Sequence, residues 1–260
     1  MTYFERLAAR SREIDSLVCV GLDPDYRKHT PAEAADYLRA IVAATAPFAA
    51  AYKPNLAFFE QWGIPGLQAL ERVLAAIPAG IPVIGDAKRG DIGSTAEAYA
   101  RALFEAWRFD AVTVSPYLGR DATEPFLAYR DRGVYILCRT SNPGAAEFQS
   151  LELSAGGRLF EHVAQSAPSW GPNAGLVVGA TAPAELRRVV ELAPAAPLLI
   201  PGVGTQGGSP AEVVQSAGYR PGQVVVNASR SIVYAGEGPD AAAAAARDLR
   251  DALRAARDAG

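Results

Sequence analysis

The chain has 260 residues, half of them hydrophobic and 20% charged, with a formal net charge of −3. That composition is ordinary for a globular protein with a sizeable core, and it offers no basic surface for a nucleic-acid polymer or an anionic membrane. The opening residues carry charges rather than a signal-peptide core, and no apolar run reaches the roughly 18 residues of a membrane span, so the cytoplasm is the expected location.

In chain order, a helix is expected over Tyr3–Ile14, ahead of the first strand. Short apolar runs then alternate with longer helical patterns. Strand Leu17–Leu22 precedes helix Ala32–Thr45, and strand Ala49–Lys53 precedes helix Gly66–Ala76. Strand Pro82–Asp86 precedes helix Ser94–Trp107, and strand Ala111–Ser115 precedes helix Ala122–Asp131. The second half repeats the pattern with Val134–Arg139 then Ser154–Ala167, and Gly175–Gly179 then Ala184–Leu192. It closes with Pro197–Pro201 then Ala211–Ala217, and Gln223–Asn227 then Pro239–Arg257. Each run is nearly continuous in apolar residues, as expected of parallel strands covered on both faces. Pro31, Pro183 and Pro210 mark helix starts, where a fixed φ and a missing donor cost nothing. Eight strand–helix pairs predict a single (β/α)8 TIM barrel with an extra N-terminal helix, one domain over residues 1–260. The length suits a fold that typically needs about 250 residues.

Cys19 and Cys138 both sit in apolar runs, which makes them core thiols of a reducing compartment. The two histidines, His29 and His162, fall outside the strand ends, so neither a Cys–His nucleophile nor a Cys/His metal site is expected.

In such barrels the chemistry sits where strands end and βα loops begin. The polar residues there are Asp23, Lys53, Asn55, the segment Asp86-Ala87-Lys88-Arg89-Gly90-Asp91, Ser141, and Asn227 with Ser229 and Arg230. Singly, each reads as a cap or turn residue; together they put carboxylates, lysines and an arginine on one rim. In an extended segment Asp86 and Lys88 point to the same side. Lys53 from the adjacent strand and Asp91 from the following turn extend this into an alternating cluster of cations and anions. Burying four charges for stability alone would be costly, which favours a chemical role. The stretch Gly202–Gly208 is rich in glycine, which lets backbone amides approach an anion. A helix starting at Ser229-Arg230 adds amides and a guanidinium suited to a phosphate dianion.

These residues resemble the orotidine 5'-phosphate decarboxylase family. Asp86-Ala-Lys88-Arg-Gly-Asp91-Ile92 is similar to that family's D-x-K-x-x-D signature. Gly21-Leu-Asp23, Lys53-Pro-Asn and Pro201-Gly-Val-Gly-Thr-Gln206 match in the same chain order. Thr140-Ser141-Asn142-Pro143-Gly144 and the length resemble the longer bacterial (type 2) branch. The similarity runs from about Leu17 to Ser231.

The resemblance implies decarboxylation of orotidine 5'-phosphate to UMP and CO₂ without a metal or cofactor, by a homodimer with shared active sites. It implies Asp23 and Lys53 on the ribose hydroxyls, Asp86 against the substrate carboxylate, and Lys88 as proton donor to C6. Asp91, with Ile92 and Thr95 beside it, would reach into the partner's site. Ser141 would read the pyrimidine edge, Gln206 would bridge phosphate and base, and Arg230 would clamp the phosphate. Ser229 stands where shorter members of the family have glycine.

The charge pattern also bears on three rivals. A Schiff-base aldolase needs a neutral lysine, usually desolvated or beside another cation, whereas Lys88 has aspartates on either side in sequence. A magnesium-dependent sister enzyme acting on a sugar phosphate wants several oxygen ligands, and Lys53 places a competing cation there. A non-catalytic nucleotide-binding barrel would keep the phosphate loops but need not keep the Asp/Lys cluster.

Overall fold

The alternation of apolar and amphipathic segments folds into eight strands, all parallel, in the order β2-β1-β8-β7-β6-β5-β4-β3. The computed structural model describes residues 1–204 and 207–259. The strands are β1 Val18–Gly21, β2 Ala51–Lys53, β3 Ile84–Arg89, β4 Ala111–Val114, β5 Gly133–Arg139, β6 Ala174–Val178, β7 Leu198–Pro201 and β8 Val224–Ala228. The seam between β2 and β3 is drawn together by Tyr52 N–H on Pro82 O and Asp86 N–H on Pro54 O, both at 3.0 Å. The sheet is therefore a nearly closed (β/α)8 barrel, as the sequence predicts.

The helices are α1 Tyr3–Glu13, α2 Pro31–Thr45, α3 Ala57–Glu60, α4 Ile64–Leu74, α5 Gly93–Arg101 and α6 Arg120–Leu127. The second half adds α7 Ala145–Gln149, α8 Leu159–Ser166, α9 Pro183–Leu192, α10 Pro210–Ala217, α11 Arg230–Val233 and α12 Gly238–Asp258. Thr2 and Thr30 close reciprocal capping boxes with Glu5 and Glu33, satisfying amides that the first turn leaves free. Pro31, Pro183 and Pro210 sit at the helix starts, where their missing N–H is no loss.

Apolar side chains form two layers. Outside the barrel, strand residues such as Val20, Val112, Ile136 and Val226 pack against the helices. Inside it, Cys19, Ala51, Ile84, Ala111, Tyr135, Val177, Leu199 and Val225 fill the lumen. α1 seals the floor: Tyr3 is fully buried, its N–H donates to Asp131 O at 2.9 Å, and its hydroxyl lies 3.2 Å from that of Tyr135.

The structure corrects several element boundaries. β3 runs on to Arg89 instead of stopping at Asp86. The helix expected over Ser154–Ala167 begins only at Leu159, because Gly156 and Gly157 take φ of +86° and +77° in a turn closed by Leu153 N–H on Gly157 O. α6 ends at Leu127, short of Asp131, and carries Pro125 in its last turn. The helix over Ser94–Trp107 starts at Gly93 as α5 and widens into a π-helical turn over Ala102–Ala106. α3 and α7 were not anticipated; each is too short to show a helical period in sequence.

Candidate active site

A cavity of about 780 Å³ opens at the C-terminal ends of the strands, where barrels of this kind carry their sites. Its floor is a charge cluster. Asp86, on β3 and 7% exposed, accepts from Lys53 Nζ through Oδ2 at 2.6 Å and from Lys88 Nζ through Oδ1 at 2.5 Å. Lys53, at the end of β2, is buried, while the Lys88 side chain is 47% exposed and reaches into the cavity.

The chain bulges at this point. β3 and β4 pair through Ile84 with Ala111 and Gly85 with Val112, and then resume at Arg89 with Val114. Asp86, Ala87 and Lys88 thus stand opposite the single residue Thr113. Lys88 takes φ of +48°, a left-handed conformation that costs a non-glycine residue about 1–3 kcal/mol and persists only where its surroundings impose it. The bulge lets Asp86 and Lys88 converge on one ion pair although the strand between them is not regular.

Electrostatics follow from this geometry. Burial alone would raise the Asp86 carboxyl, but the ammonium groups of Lys53 and Lys88 outweigh it and hold it below the usual carboxylate range. Burial alone would lower Lys53, but Asp86 and Asp23 outweigh it and hold the ammonium above its ordinary value. Both groups stay charged at neutral pH. Asp23, just past β1, also lines the cavity and accepts the Asn55 N–H at 3.2 Å.

Opposite the charge cluster lies a second polar region. Ser229 and Arg230 line the cavity at the start of α11, and no carboxylate among the described residues pairs with Arg230. The strand-7 loop packs closely on this helix: Gly204 has φ of +88°, and a Cβ there would lie 2.6 Å from Ser231 Oγ. Gly207 and Gly208 spend their amides on Gly204 O and Gly202 O inside the loop, so the free donors here are fewer than the glycine count suggested. Gln206 lies outside the described residues. Ser141 lines the wall on the loop after β5, beside Thr140. That loop is braced by Gln149 of α7, whose side chain accepts from Thr140 N–H and donates to Thr140 Oγ1, both at 2.8 Å.

The structure therefore brings Asp23, Lys53, Asp86, Lys88, Ser141, Ser229 and Arg230 to one cavity. It does not bring Asp91, Ile92 and Thr95 there. Asp91 accepts the Ile92 N–H at 2.8 Å, Ile92 and Thr95 are exposed, and among the described residues no ion pair joins Asp91 to Lys88. The expected run of four alternating charges is a run of three within one chain. Sequence reasoning passed over Thr113, whose hydroxyl is the one polar group in an apolar strand and meets the cluster directly. It also missed the aromatic side chains Tyr26, Phe58 and Tyr234 that line the mouth. Among the described residues, no helix is long and apolar enough to cross a membrane.

The model of the family described as orotidine 5'-phosphate decarboxylase / HUMPS matches residues 16–246. The chain belongs to this family. It is 50% identical to the orotidine 5'-phosphate decarboxylase of Paracidovorax citrulli, over 99% of this chain and 100% of that protein. It is 46% identical to the one from Herpetosiphon aurantiacus, over 94% of this chain and 93% of that protein. Among solved structures, the OMP decarboxylase of Leishmania donovani superposes with a TM-score of 0.89 at 42% identity, covering all of both chains. The UMP synthase of the same organism superposes at 0.90 and 42% identity, covering 99% of this chain and 57% of that one. The family that the strand-exit residues resemble and the fold that the strand–helix alternation predicts are both met.

Proposed function

We propose that the chain decarboxylates orotidine 5'-phosphate to UMP and CO₂, the last step of de novo pyrimidine nucleotide synthesis, as a cofactor-free homodimer of the cytoplasm. The observation that carries this reading is the single carboxylate of Asp86 held between Lys53 and Lys88 on the cavity floor. Losing CO₂ from the ring leaves an electron pair on C6 with poor resonance stabilisation, so a fixed cation must already stand beside that carbon. Lys88 is that cation. The C6–carboxylate bond breaks, its electron pair stays on C6, the Lys88 ammonium gives a proton to C6, and solvent returns one to Lys88. Asp86 stands against the departing carboxylate, and its repulsion vanishes as CO₂ leaves.

The remaining roles in the cavity are those the family resemblance implies, and Asp23, Lys53, Ser141, Ser229 and Arg230 line it. Asp23 and Lys53 hold the ribose hydroxyls, Ser141 reads the pyrimidine edge, and Ser229 and Arg230 hold the phosphate with Gln206. Contacts at the phosphate contribute binding energy used at the distant ring. Asp91, Ile92 and Thr95 serve the partner's site, a reading supported by the exposure of Ile92 and Thr95, the partial exposure of Asp91, and the absence of all three from the lining of this chain's own cavity.

The ion pairing weighs against both enzymatic alternatives. A Schiff-base lysine must be neutral, whereas Lys88 lies 2.5 Å from a carboxylate oxygen. A magnesium site needs free carboxylate oxygens, whereas both oxygens of Asp86 are taken by ammonium groups. The deciding experiment adds protein dialysed against EDTA to orotidine 5'-phosphate and follows the loss of orotidylate absorbance with formation of UMP. Turnover that survives chelation is expected; no turnover, or turnover restored only by a divalent metal, sinks the reading.

A further inference from the structure

Thr113 lies on β4, is 1% exposed, and has no part in the steps above. Its hydroxyl donates to Asp86 Oδ1 at 2.9 Å and accepts the Lys88 N–H at 3.0 Å. The same Asp86 oxygen accepts from Lys88 Nζ at 2.5 Å. These contacts close a ring that leaves the Lys88 backbone, passes through the Thr113 hydroxyl and the Asp86 carboxylate, and returns to the Lys88 ammonium. The strand ladder does nothing for Lys88, because pairing skips from Gly85 to Arg89 on β3 and from Val112 to Val114 on β4. Thr113 is the residue left over on its own strand, and its hydroxyl replaces the ladder bond that the bulge removes. Only a group able both to accept from an amide and to donate to a carboxylate can fill this place, which a hydroxyl does and a methyl cannot.

We propose that Thr113 is a positioning residue that holds Lys88 in its left-handed conformation, so that the ammonium stands over the cavity with its partner oxygen fixed. The inference rests on the decarboxylase reading and deepens it. Without the hydroxyl, the Lys88 backbone relaxes out of the left-handed region, and the ammonium leaves the place where C6 needs a proton. Displacements of about 1 Å in a reacting group cost on the order of 10²-fold in rate.

The test compares Thr113→Val, Thr113→Ala and Thr113→Ser with the unmodified chain, by kcat and KM for orotidine 5'-phosphate and by crystal structures. Valine keeps the shape and loses the hydroxyl; serine keeps the hydroxyl and loses the methyl. We expect kcat to fall about 10²-fold in the valine and alanine variants. KM should stay close to its starting value, since ribose and phosphate contacts are untouched, and serine should recover most of kcat. Unchanged kcat in the valine and alanine variants, or an equal loss in the serine variant, overturns the proposal. If Thr113→Val does not fold, Thr113→Ala carries the same expectation. If the unmodified chain releases no CO₂, the functional reading fails, and the crystal structures still decide this one. Lys88 should then show negative φ in the valine variant and positive φ in the serine variant; positive φ retained without the hydroxyl overturns it.

Discussion

Lys53 Nζ lies 2.6 Å from Asp86 Oδ2, and both residues are buried, at 3% and 7% exposure. Such a pair is held in place by its own cost of disruption. Breaking it from one side leaves a buried charge without its hydrogen-bonded counter-charge in a poorly solvated place.

Asp86→Asn should therefore destabilise the fold by about 3–5 kcal/mol, the usual penalty for orphaning a buried charge. Urea unfolding at neutral pH measures it. A loss below about 1 kcal/mol, the range of exposed ion pairs, would mean that water reaches this pair in solution.

The same pair sets a pH window. The Asp86 carboxyl is held below its usual range, so its contribution is present above the unfolded value of about 3.9 and is lost as pH falls through the depressed folded value. The Lys53 ammonium is held above its ordinary value, so its contribution is present below about 10.4 and is lost as pH rises through the elevated folded value. The stability difference between the unmodified chain and Asp86→Asn should shrink below about pH 4 as Asp86 takes up its proton, and shrink again at alkaline pH once the orphaned Lys53 of the variant, which burial pushes toward its neutral form, gives up its own. A difference that stays constant down through the acid limb would contradict the pairing.

Lys88→Ala separates catalysis from binding. Turnover should fall by at least about 10³-fold, within or beyond the span for a positioned proton donor. UMP should still bind, as followed by calorimetry, because the proposed phosphate and ribose contacts come from other residues. Near-normal turnover in this variant refutes the proton-donor role.

Arg230→Ala tests the proposed phosphate end of the cavity. A charge-assisted hydrogen bond contributes about 1.5–3 kcal/mol, so UMP affinity should drop roughly 10- to 100-fold. Uridine, which lacks the phosphate, should lose little. Equal losses for both ligands would place Arg230 away from the phosphate.

Both thiols should be silent in the folded protein. Cys19 and Cys138 are buried, and burial pushes each pKa up to about 12. A thiol reagent at mildly alkaline pH should modify neither until the chain is unfolded, since the thiolate is the reactive form. Rapid labelling of either would show that the barrel opens locally.

Much of this architecture is legible from residues alone, for a physical reason. Parallel strands buried on both faces must be apolar almost throughout, so runs such as Val134–Arg139 stand out, and the polar residues that end them mark the rim. Asp86, Lys88 and Lys53 were found that way. What stayed hidden depends on local geometry. The left-handed backbone of Lys88 has no sequence mark, because lysine carries no preference for positive φ. Thr113 reads as an ordinary β-branched strand residue until the bulge is known. The spacing of Asp91 from Lys88 suggested contact, but the chain turns away past Arg89. Gly156-Gly157 was a stop signal inside an expected helix, and its effect shows in the late start at Leu159.

The floor of the barrel has a consequence for synthesis. α1 is made before the strands it seals, and Tyr3 lacks its partners until Asp131 and Tyr135 have emerged. α1 is thus made well before it finds its seat, and its apolar face stays uncovered while the strands up to β5 are being made. Removing α1 would take the stopper out of the barrel floor and open the apolar lumen around Tyr135 to water.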